Sequence, residues 1–352
     1  MAAKKPTLRD VSQATGLSIY TVSRALSDRD GVSRSSRELV LKAARELGYV
    51  PNRAAQELRR NTRSSVGVIT ASTSNHYYLD LMDGIQRTLR SSHRTAIVAD
   101  VAAEGVYTRE VEETLVRDLI QSRTAGVIAT LTLSKKSLRL FEDWDIPVVF
   151  VDSLPPEGAD TVPSLSTDNF GASMKVGAHL AEHGYGDWLF VAYPALWSSR
   201  AERERGLREA ASAHGARLEV LECENDAASA FTALSRCLDE PGRSLPRVVI
   251  AGNNPLLHAS LQVLRARDVT VPEDVAVVAF DEFAWAPLLD PPLTVLNEDS
   301  ESIGVRAAQI LTRIIDEQVK AEALGDQPTP VYLPADRQVM TADLIIRKSC
   351  GC

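Results

Sequence analysis

The segment TLRDVSQATGLSIYTVSRAL, residues 7–26, decides how the amino-terminal part of this chain folds. Thr7 and Asp10 have the spacing of a capping box, in which the threonine hydroxyl accepts from the aspartate amide and the carboxylate bonds back. A helix therefore begins here, and Gly16 ends it because glycine adopts the left-handed conformation of a helix end without strain. Ser18 then caps a second helix. Two short helices joined by a glycine turn predict a helix-turn-helix.

The apolar faces of the second and third helices hold this small unit together. Val22, Ala25 and Leu26 repeat at helical spacing and fill the inward face of the second helix. After a polar loop, Ser33 caps a third helix whose apolar face closes the core before Gly48 ends it. The sequence thus predicts a headpiece of three short helices.

The outward face of the second helix is left with Ile19, Tyr20 and Arg24. In a helix-turn-helix this helix enters the major groove of DNA, with its first residues at the base edges. Tyr20 can exchange hydrogen bonds or pack on a thymine methyl, and Arg24 can pair with guanine through two hydrogen bonds. The alternative is that Ile19 and Tyr20 are core residues. Phosphate contacts that set the register are predicted for Thr7, Ser18, Thr21, Ser23 and Asn52.

Charge is concentrated at the amino-terminal end of the chain. The 352 residues sum to −8, yet residues 1–63 hold 13 Lys and Arg against 6 Asp and Glu. A basic head on an acidic body predicts that only the head meets a polyanion.

The composition is that of a folded globular protein, with 44% hydrophobic and 24% charged residues. No apolar run approaches the roughly 18 to 20 residues that span a bilayer. The first residues lack the apolar stretch of a signal peptide. We therefore expect no membrane association and a cytoplasmic location.

A hinge helix is predicted directly after the headpiece. Asn52 follows Pro51 and can cap a short helix over residues 53–58. A helix of this length is not stable alone and needs a partner, so we expect a homodimer that binds a near-palindromic operator in double-stranded DNA.

At this point the sequence resembles the LacI/GalR family of bacterial transcription regulators. The resemblance rests on residues 7–11, 21–26, 48–52 and 55–58, which match the family's headpiece and hinge. It implies that paired hinge helices enter the minor groove and that Leu58 wedges open a base step, as apolar side chains do in bent DNA. The alternative is that Leu58 packs on its own core. Leu8 and Ala55 lie within the matching motifs and complete the predicted DNA-binding set.

The body of the chain alternates short apolar runs with helical patterns, which is typical of βαβ units and parallel sheets. Apolar runs occupy residues 66–70, 96–99, 126–131, 147–151, 188–192, 248–251 and 275–280. Helical patterns occupy residues 78–89, 109–121, 171–183, 201–214, 227–238, 256–267 and 302–317. Most runs are continuous, as expected for strands buried on both faces. So long a doubly wound arrangement predicts two lobes.

Polar side chains follow several of these predicted strands. Asp152, Asn253 and Asp281 each come directly after an apolar run, and Ser72 and Tyr77 follow the first one. Ligands of open α/β sheets bind beyond the carboxyl ends of the strands. Carboxylates, amides and aromatic faces suit a neutral polyhydroxylated ligand, whose hydroxyls donate to carboxylates while its apolar face stacks.

From residue 65 to about 348 the chain resembles the regulatory core of the same family, which is similar to periplasmic sugar-binding proteins. The resemblance implies that Asp152, Arg203, Asn253 and Asp281 contact the effector. With Ser72, Tyr77 and Phe283, these residues form the predicted effector-binding set. Open alternatives are helix capping for Asp152 and Asp281, an exposed helix charge for Arg203, and ordinary core or interface packing for Tyr77 and Phe283.

The predicted fold class is α/β: a small all-α helix-turn-helix headpiece and hinge helix, followed by two doubly wound lobes of periplasmic-binding-protein type 1. The predicted domains are the headpiece at 1–50, the hinge helix and linker at 51–64, and the effector-binding and dimerisation core at 65–352. Within the core, lobe N takes residues 65–162 and 296–328, and lobe C takes residues 163–295 and 329–352.

The function predicted is a sequence-specific transcription regulator, a repressor by expectation, controlled by a small sugar or related metabolite between the lobes. Alternatives are a sugar-binding transport protein and a hydrolase with Asp281 as base. No phosphate-binding glycine loop, nucleophile elbow or metal-ligand pair is present, so we expect no catalytic residues, no cofactor and no enzyme.

Neither a metal nor a disulfide is expected to organise the fold. The four cysteines, at positions 223, 237, 350 and 352, lack zinc-site spacing and a companion histidine cluster. In the cytoplasm they are expected to be free thiols.

Overall fold

The structure is a computed structural model that describes residues 5–27, 31–51, 63–70, 75–102, 107–195 and 197–352. The chain divides into two compact units, Met1–Arg63 and Ser64–Cys352. Within the described residues, no helix combines the length and apolar character needed to cross a membrane.

The first unit contains the three predicted helices. They are α1 (Leu8–Thr15), α2 (Ile19–Leu26) and α3 (Arg34–Leu47). The capping box of Thr7 and Asp10 is present in full, and Gly16 ends α1 with a φ of 69°. The fully buried Val11 and Val22 meet the apolar face of α3 in one small core. The predicted hinge helix at residues 53–58 lies outside the described residues.

Two six-stranded sheets form the framework of the second unit. The strands are β1 (Ser65–Thr70), β2 (Thr95–Asp100), β3 (Gly126–Ala129), β4 (Val148–Val151), β5 (Ser164–Thr167), β6 (Asp187–Ala192), β7 (Arg217–Glu222), β8 (Val248–Ala251), β9 (Ala276–Phe280), β10 (Thr294–Asn297), β11 (Arg337–Met340) and β12 (Asp343–Ile345). The first sheet has the order β11-β5-β4-β3-β1-β2 and the second β12-β10-β9-β8-β6-β7. Every pairing is parallel except that of β10 with β12.

Parallel pairing places the carboxyl ends of neighbouring strands at the same edge of each sheet. In the first sheet Val66 of β1 pairs with Ala96 of β2 and with Gly126 of β3. In the second sheet Val248 of β8 pairs with Ala276 of β9. The polar residues that follow these strands therefore share two edges.

Helices connect the strands and cover the faces of the sheets. They are α4 (His76–Ser91), α5 (Arg109–Gln121), α6 (Lys135–Asp143), α7 (Asn169–Glu182), α8 (Ser198–His214), α9 (Ala227–Leu238), α10 (Asn254–Arg265) and α11 (Ser300–Leu324). The central strands β3, β4, β8 and β9 are buried along their whole length. Their continuous apolar runs predicted this burial.

The first lobe is closed by a tight crossing of α4 and α11. A Cβ atom built at Gly84 would lie 2.2 Å from the Glu301 carbonyl oxygen, and one at Gly304 would lie 2.1 Å from that of Leu81. Only glycine fits at both positions, because the opposing atoms belong to a helix backbone that cannot rotate away.

The chain passes between the two sheets three times. The positions of these crossings differ from the predicted boundaries of the two lobes. The strands β5 and β11 lie in the first sheet, although residues 163–295 and 329–352 were assigned to lobe C. The strand β10 lies in the second sheet. Its last two residues, 296 and 297, therefore belong to the second lobe, although the prediction gave them to lobe N. The short, polar β5 and β11 carry little periodic signal, which is why the sequence did not identify them as strands.

Candidate effector cleft and DNA-reading helix

Two strands, one from each sheet, end in an aspartate. Asp152 follows β4 and Asp281 follows β9, and their φ angles of 54° and 70° are both left-handed. Aspartate tolerates this conformation better than most residues. Neither residue is the N-cap of a described helix, although the backbone amide of Asn254, the first residue of α10, donates to the Asp281 carboxylate.

Arg203 of α8 is the centre of a buried polar network. Its Nε donates to Asn169 Oδ1 at 2.7 Å and its Nη1 donates to the Gly252 carbonyl at 2.6 Å. Its Nη2 donates to Glu298. The guanidinium carbon also lies 4.3 Å from the centre of the Phe280 ring. Because Arg203 is only 2% exposed, it is not the surface charge considered from the sequence.

Polar contacts from the first lobe complete this network. The Asn75 amide donates to Asp281 Oδ2 at 3.3 Å, and the Asn254 amide donates to Asn75 Oδ1 at 3.1 Å. Near β5, Thr167 Oγ1 donates to Glu298 at 2.8 Å. The two lobes are therefore bridged by direct hydrogen bonds between buried side chains.

Asp152 lies on the first-lobe side of the same region. Its Oδ2 accepts from the Tyr78 hydroxyl at 3.2 Å. Burial and the negative charge of Glu298 raise the pKa of Asp152 to about 8. Burial raises the pKa of Asp281 to about 6, against the lowering effect of Arg203. Three carboxylates around one guanidinium disfavour full ionisation.

Several buried polar atoms of this region lack a hydrogen-bond partner among the described residues. They are Asp152 Oδ1, the Tyr77 hydroxyl and Asn254 Oδ1. A buried polar atom without a partner costs about 1 to 3 kcal/mol. A ligand hydroxyl placed beside such an atom would form the missing bond. A cavity of about 320 Å³ lined by Tyr77, Asp281 and Glu298 opens onto the network.

An aromatic cluster stands at the rim of that cavity. Phe283 lies 4.3 Å from Trp285 and 5.9 Å from His76, measured between ring centres. His76 begins α4 of the first lobe, whereas the other two rings follow β9 of the second. The rings thus span the two lobes, and Phe283 also lines the cavity.

The structure brings five of the predicted effector residues into this region: Tyr77, Asp152, Arg203, Asp281 and Phe283. Asn253 has a different surrounding, since its Oδ1 caps α10 through the Leu256 amide and its Nδ2 donates to Asn225 at 2.6 Å. Ser72 lies outside the described residues.

Sequence reasoning missed Glu298, Asn169 and Asn254. Glu298 comes just after β10, and the strand-end rule that selected Asp281 would have selected it had β10 been recognised as a strand. Asn169 begins α7, but the capping hydrogen bond of that helix comes from Asp168 at 2.8 Å, so the Asn169 side chain is left to accept from Arg203.

In the first unit, the predicted reading residues of α2 face outward. Tyr20 is 69% and Ile19 45% exposed, so neither belongs to the headpiece core. Arg24 Nη1 donates to the Tyr20 hydroxyl at 2.7 Å, one helical turn away. Ile19, Tyr20 and Arg24 therefore form one contiguous outer face.

Six of the other predicted DNA-binding residues divide into three groups. Ser18 accepts from the Thr21 amide at 3.1 Å and caps α2, so both lie at a helix amino terminus together. Leu8 packs against the headpiece core. Asn52, Ala55 and Leu58 lie outside the described residues.

One expectation about the cysteines is wrong. His179 and His183, one turn apart at the end of α7, lie beside Cys352 with their ligand atoms within 4.8 Å of one another. The cysteines therefore do have companion histidines. The sequence could not show this, because the two groups are brought together only by the chain's final crossing to the second sheet.

Comparisons with known proteins divide the chain in the same way as its structure. Residues 63–339 match the family model described as periplasmic binding proteins and sugar binding domain of LacI family. Residues 7–52 match the model for bacterial regulatory proteins of the lacI family.

Individual relatives are similar along nearly the whole chain. The ribose operon repressor of Bacillus subtilis (strain 168) is 28% identical over 92% of this chain and 95% of that protein. A structure of the transcriptional regulator CelR in complex with cellobiose has a TM-score of 0.67 and 27% identity, covering 98% of this chain and 99% of that one. The Lac repressor dimer bound to operator and the anti-inducer ONPF has a TM-score of 0.76 and 23% identity, covering 99% of both chains.

Proposed function

The chain belongs to the LacI family of bacterial regulatory proteins, and we propose that it represses transcription from a near-palindromic operator under the control of a small sugar or sugar-like metabolite. Membership makes it a DNA-binding repressor with an effector site in its core, not an enzyme. The match at residues 7–52 disfavours the transport-protein alternative, which has no use for a DNA-binding headpiece.

The observation that carries the effector class is the buried network between the lobes. Asp152 and Asp281 offer acceptors, Arg203 and Asn75 offer donors, and three buried polar atoms have no partner among the described residues. A neutral polyol suits such a site, because each hydroxyl both donates and accepts. The rings of Phe283 and Trp285 supply the face on which an apolar sugar surface stacks.

Two relatives support the same ligand class. The ribose operon repressor is named for a sugar operon, and the CelR structure contains cellobiose. We propose direct contacts with the effector first for Asp152, Arg203 and Asp281. Tyr77 and Phe283 are proposed as further contacts. We also keep Asn253 and Ser72 in the proposed set, and add Glu298 and Asn254 from the structure.

On the DNA side, α2 is proposed to enter the major groove. Ile19, Tyr20 and Arg24 read base edges, since Ile19 and Tyr20 are exposed and Arg24 donates to the Tyr20 hydroxyl on the same face. Phosphate contacts are assigned to Thr7, Ser18, Thr21, Ser23 and Asn52. Leu8 supports α1 from within the headpiece core, while Ala55 and Leu58 belong to a hinge that enters the minor groove.

Homodimerisation is proposed because a near-palindromic operator requires a two-fold protein. The Lac repressor structure, similar in fold, holds a dimer on operator DNA. We also propose a cytoplasmic location, because a regulator of this family acts on bacterial DNA.

Effector binding is proposed to act through the hydrogen bonds that now join the lobes. A ligand that takes over the bonds of Asn75, Asp281 and Asn254 changes the balance between lobe arrangements. The coupling is reciprocal and is expected to be about 1 to 3 kcal/mol, so the effector binds more weakly to the DNA complex if it weakens DNA binding.

The test is selection of bound sequences from random DNA with the full chain, repeated in the presence of a panel of neutral mono- and disaccharides and a second panel of charged metabolites. We expect a near-palindromic consensus whose retention changes with one of the sugars. A consensus without two-fold symmetry contradicts the dimer, and a response only to charged metabolites contradicts the effector class.

A further inference from the structure

A cluster of two imidazoles and two thiols lies in the second lobe, away from the effector cleft. His179 Nε2 lies 3.2 Å from Cys350 Sγ, and His183 Nε2 lies 3.2 Å from Cys352 Sγ. The two sulfur atoms are 3.2 Å apart, and Cys352 Sγ is 3.7 Å from His179 Nε2. The ligand atoms of His179, His183 and Cys352 all lie within 4.8 Å of one another, and Cys350 Sγ lies beside two of them.

We propose that His179, His183, Cys350 and Cys352 form a binding site for a zinc ion. Two thiolates and two imidazoles are a common donor set of structural zinc sites, and zinc binds them tetrahedrally. Zn–N bonds near 2.0 Å and Zn–S bonds near 2.3 Å place neighbouring ligand atoms roughly 3.3 to 3.8 Å apart. The measured separations are close to this range, so small side-chain rotations complete the site.

The backbone that carries the thiols is held in place by buried hydrogen bonds. Ser349 Oγ donates to the Val277 carbonyl at 2.6 Å and accepts from the Thr294 amide at 2.8 Å. The Tyr185 hydroxyl donates to the Cys350 carbonyl at 3.1 Å. Cys350 is thus fixed against β9 and β10, and the two ligands on this side approach α7 in a defined position.

The histidines occupy the end of a helix where a cation is favoured. His179 lies in the last turn of α7 and His183 follows its last residue, so both are close to the negative end of the helix dipole. His183 and Cys352 are exposed while His179 and Cys350 are buried. An ion can therefore enter from the solvent side and be enclosed on the other.

Charge balance also agrees with a divalent ion. On binding, each cysteine releases a proton to solvent, and two thiolates with two neutral imidazoles exactly neutralise Zn²⁺. The ion would link the segment after β12 to α7, and so tie together two parts of the second lobe that are far apart in sequence. Thiolate ligands favour zinc over magnesium or calcium, which prefer oxygen.

The test uses the untagged full chain, freed of metal by a chelator under reducing conditions. Added Zn²⁺ is followed by competition with a chromophoric chelator, and Co²⁺ serves as a spectroscopic probe of thiolate ligation. We expect one ion per chain, a thiolate-to-cobalt charge-transfer band, and a higher thermal midpoint with metal.

Two exposed ligands provide variants that retain the fold. Cys352→Ser and His183→Ala are each expected to weaken Zn²⁺ binding at least tenfold and to change the cobalt spectrum. Cys237→Ser is the matched control, since its thiol lies beside Glu219 and not in the cluster. Its zinc affinity should equal that of the unsubstituted chain.

Three results overturn the proposal. The first is the absence of saturable zinc binding by the reduced chain. The second is binding that Cys352→Ser and His183→Ala leave unchanged, which places the ion elsewhere. The third is a Cys350 to Cys352 disulfide that persists under reducing conditions, which removes both thiolates.

Discussion

Arg203 Nη2 lies 3.6 Å from Asp281 Oδ1, and both side chains are only 3% exposed. A charge pair buried to this extent is stabilising only while both partners are present, because a single buried charge keeps its desolvation cost without compensation. The same guanidinium also donates hydrogen bonds to Asn169, Gly252 and Glu298. Four groups, including Asp281, therefore lose a partner if Arg203 is removed. Arg203 is therefore the residue that holds this buried polar network together.

Replacing this arginine should destabilise the core. Arg203→Ala is expected to lower the free energy of unfolding by about 3 to 5 kcal/mol, since Asp281 and Glu298 are left buried beside each other. Urea unfolding followed by fluorescence of the buried Trp188 measures the change. Arg205→Ala on the same helix removes an exposed pair with Glu202 and a stacking contact with Phe170, and should lower the free energy of unfolding by about 1 kcal/mol at most.

Replacing Asp281 should separate effector response from DNA binding. Asp281→Asn keeps the size of the side chain but removes an acceptor for a ligand hydroxyl, so the response to the effector should be lost, whereas the variant should still bind the operator because its headpiece is unchanged. Gel-shift titration with and without the sugar found by selection measures both. The exposed Asp143→Asn is the control, and a normal response of Asp281→Asn would place the effector elsewhere.

Core stability should depend on pH through the two aspartates. The pKa of Asp152 is raised to about 8 and that of Asp281 to about 6, so the folded chain holds protons that the unfolded chain has lost above about pH 4. The free energy of unfolding is therefore expected to fall as pH rises from about 4 to about 8, by at most about 1.4 kcal/mol per pH unit for each group. Urea unfolding at a series of pH values tests this.

A neutral side chain at position 152 provides the matched comparison for the pH series. Asp152→Asn should flatten the dependence between about pH 6 and 8, where Asp281 has already lost its proton. An unchanged slope in that window would assign the proton to another group of the network.

The reading role of α2 is tested by Arg24→Ala. We expect a loss of about 1 to 3 kcal/mol in operator affinity and relaxed preference at one base position per half-site. Arg34→Ala, at an exposed position of α3, should leave the base preference unchanged. Selection from random DNA with both variants gives the comparison, and equal consensus sequences for Arg24→Ala and the unsubstituted chain would remove Arg24 from the reading set.

The helix crossing of the first lobe makes a prediction that is independent of function. Gly304→Ala places a methyl group against the Leu81 carbonyl and should destabilise the lobe by about 1 to 3 kcal/mol. Gly186→Ala meets no described atom within 4 Å and serves as the control. Equal thermal midpoints for the two variants would contradict the close packing of α4 against α11.

The sequence by itself determined the headpiece, because capping residues and helical periodicity act within a few residues of each other. The Thr7 and Asp10 capping box, the Gly16 and Gly48 helix ends and the outward face of α2 are all present in the structure as predicted. The buried parallel strands could also be predicted from the sequence, since a strand buried on both faces requires a continuous apolar run. The strand-end rule then selected Asp152 and Asp281 without knowledge of the tertiary fold.

Only the tertiary structure decided which residues meet across long distances in the chain. Whether Arg203 is exposed or central depends on how α8 packs against the second sheet, and Glu298 could not be assigned while β10 was unrecognised. His179 and Cys350 are neighbours solely because the last crossing returns the chain to α7. Such contacts are set by the packing of whole sheets and helices, and no local pattern of residues encodes them.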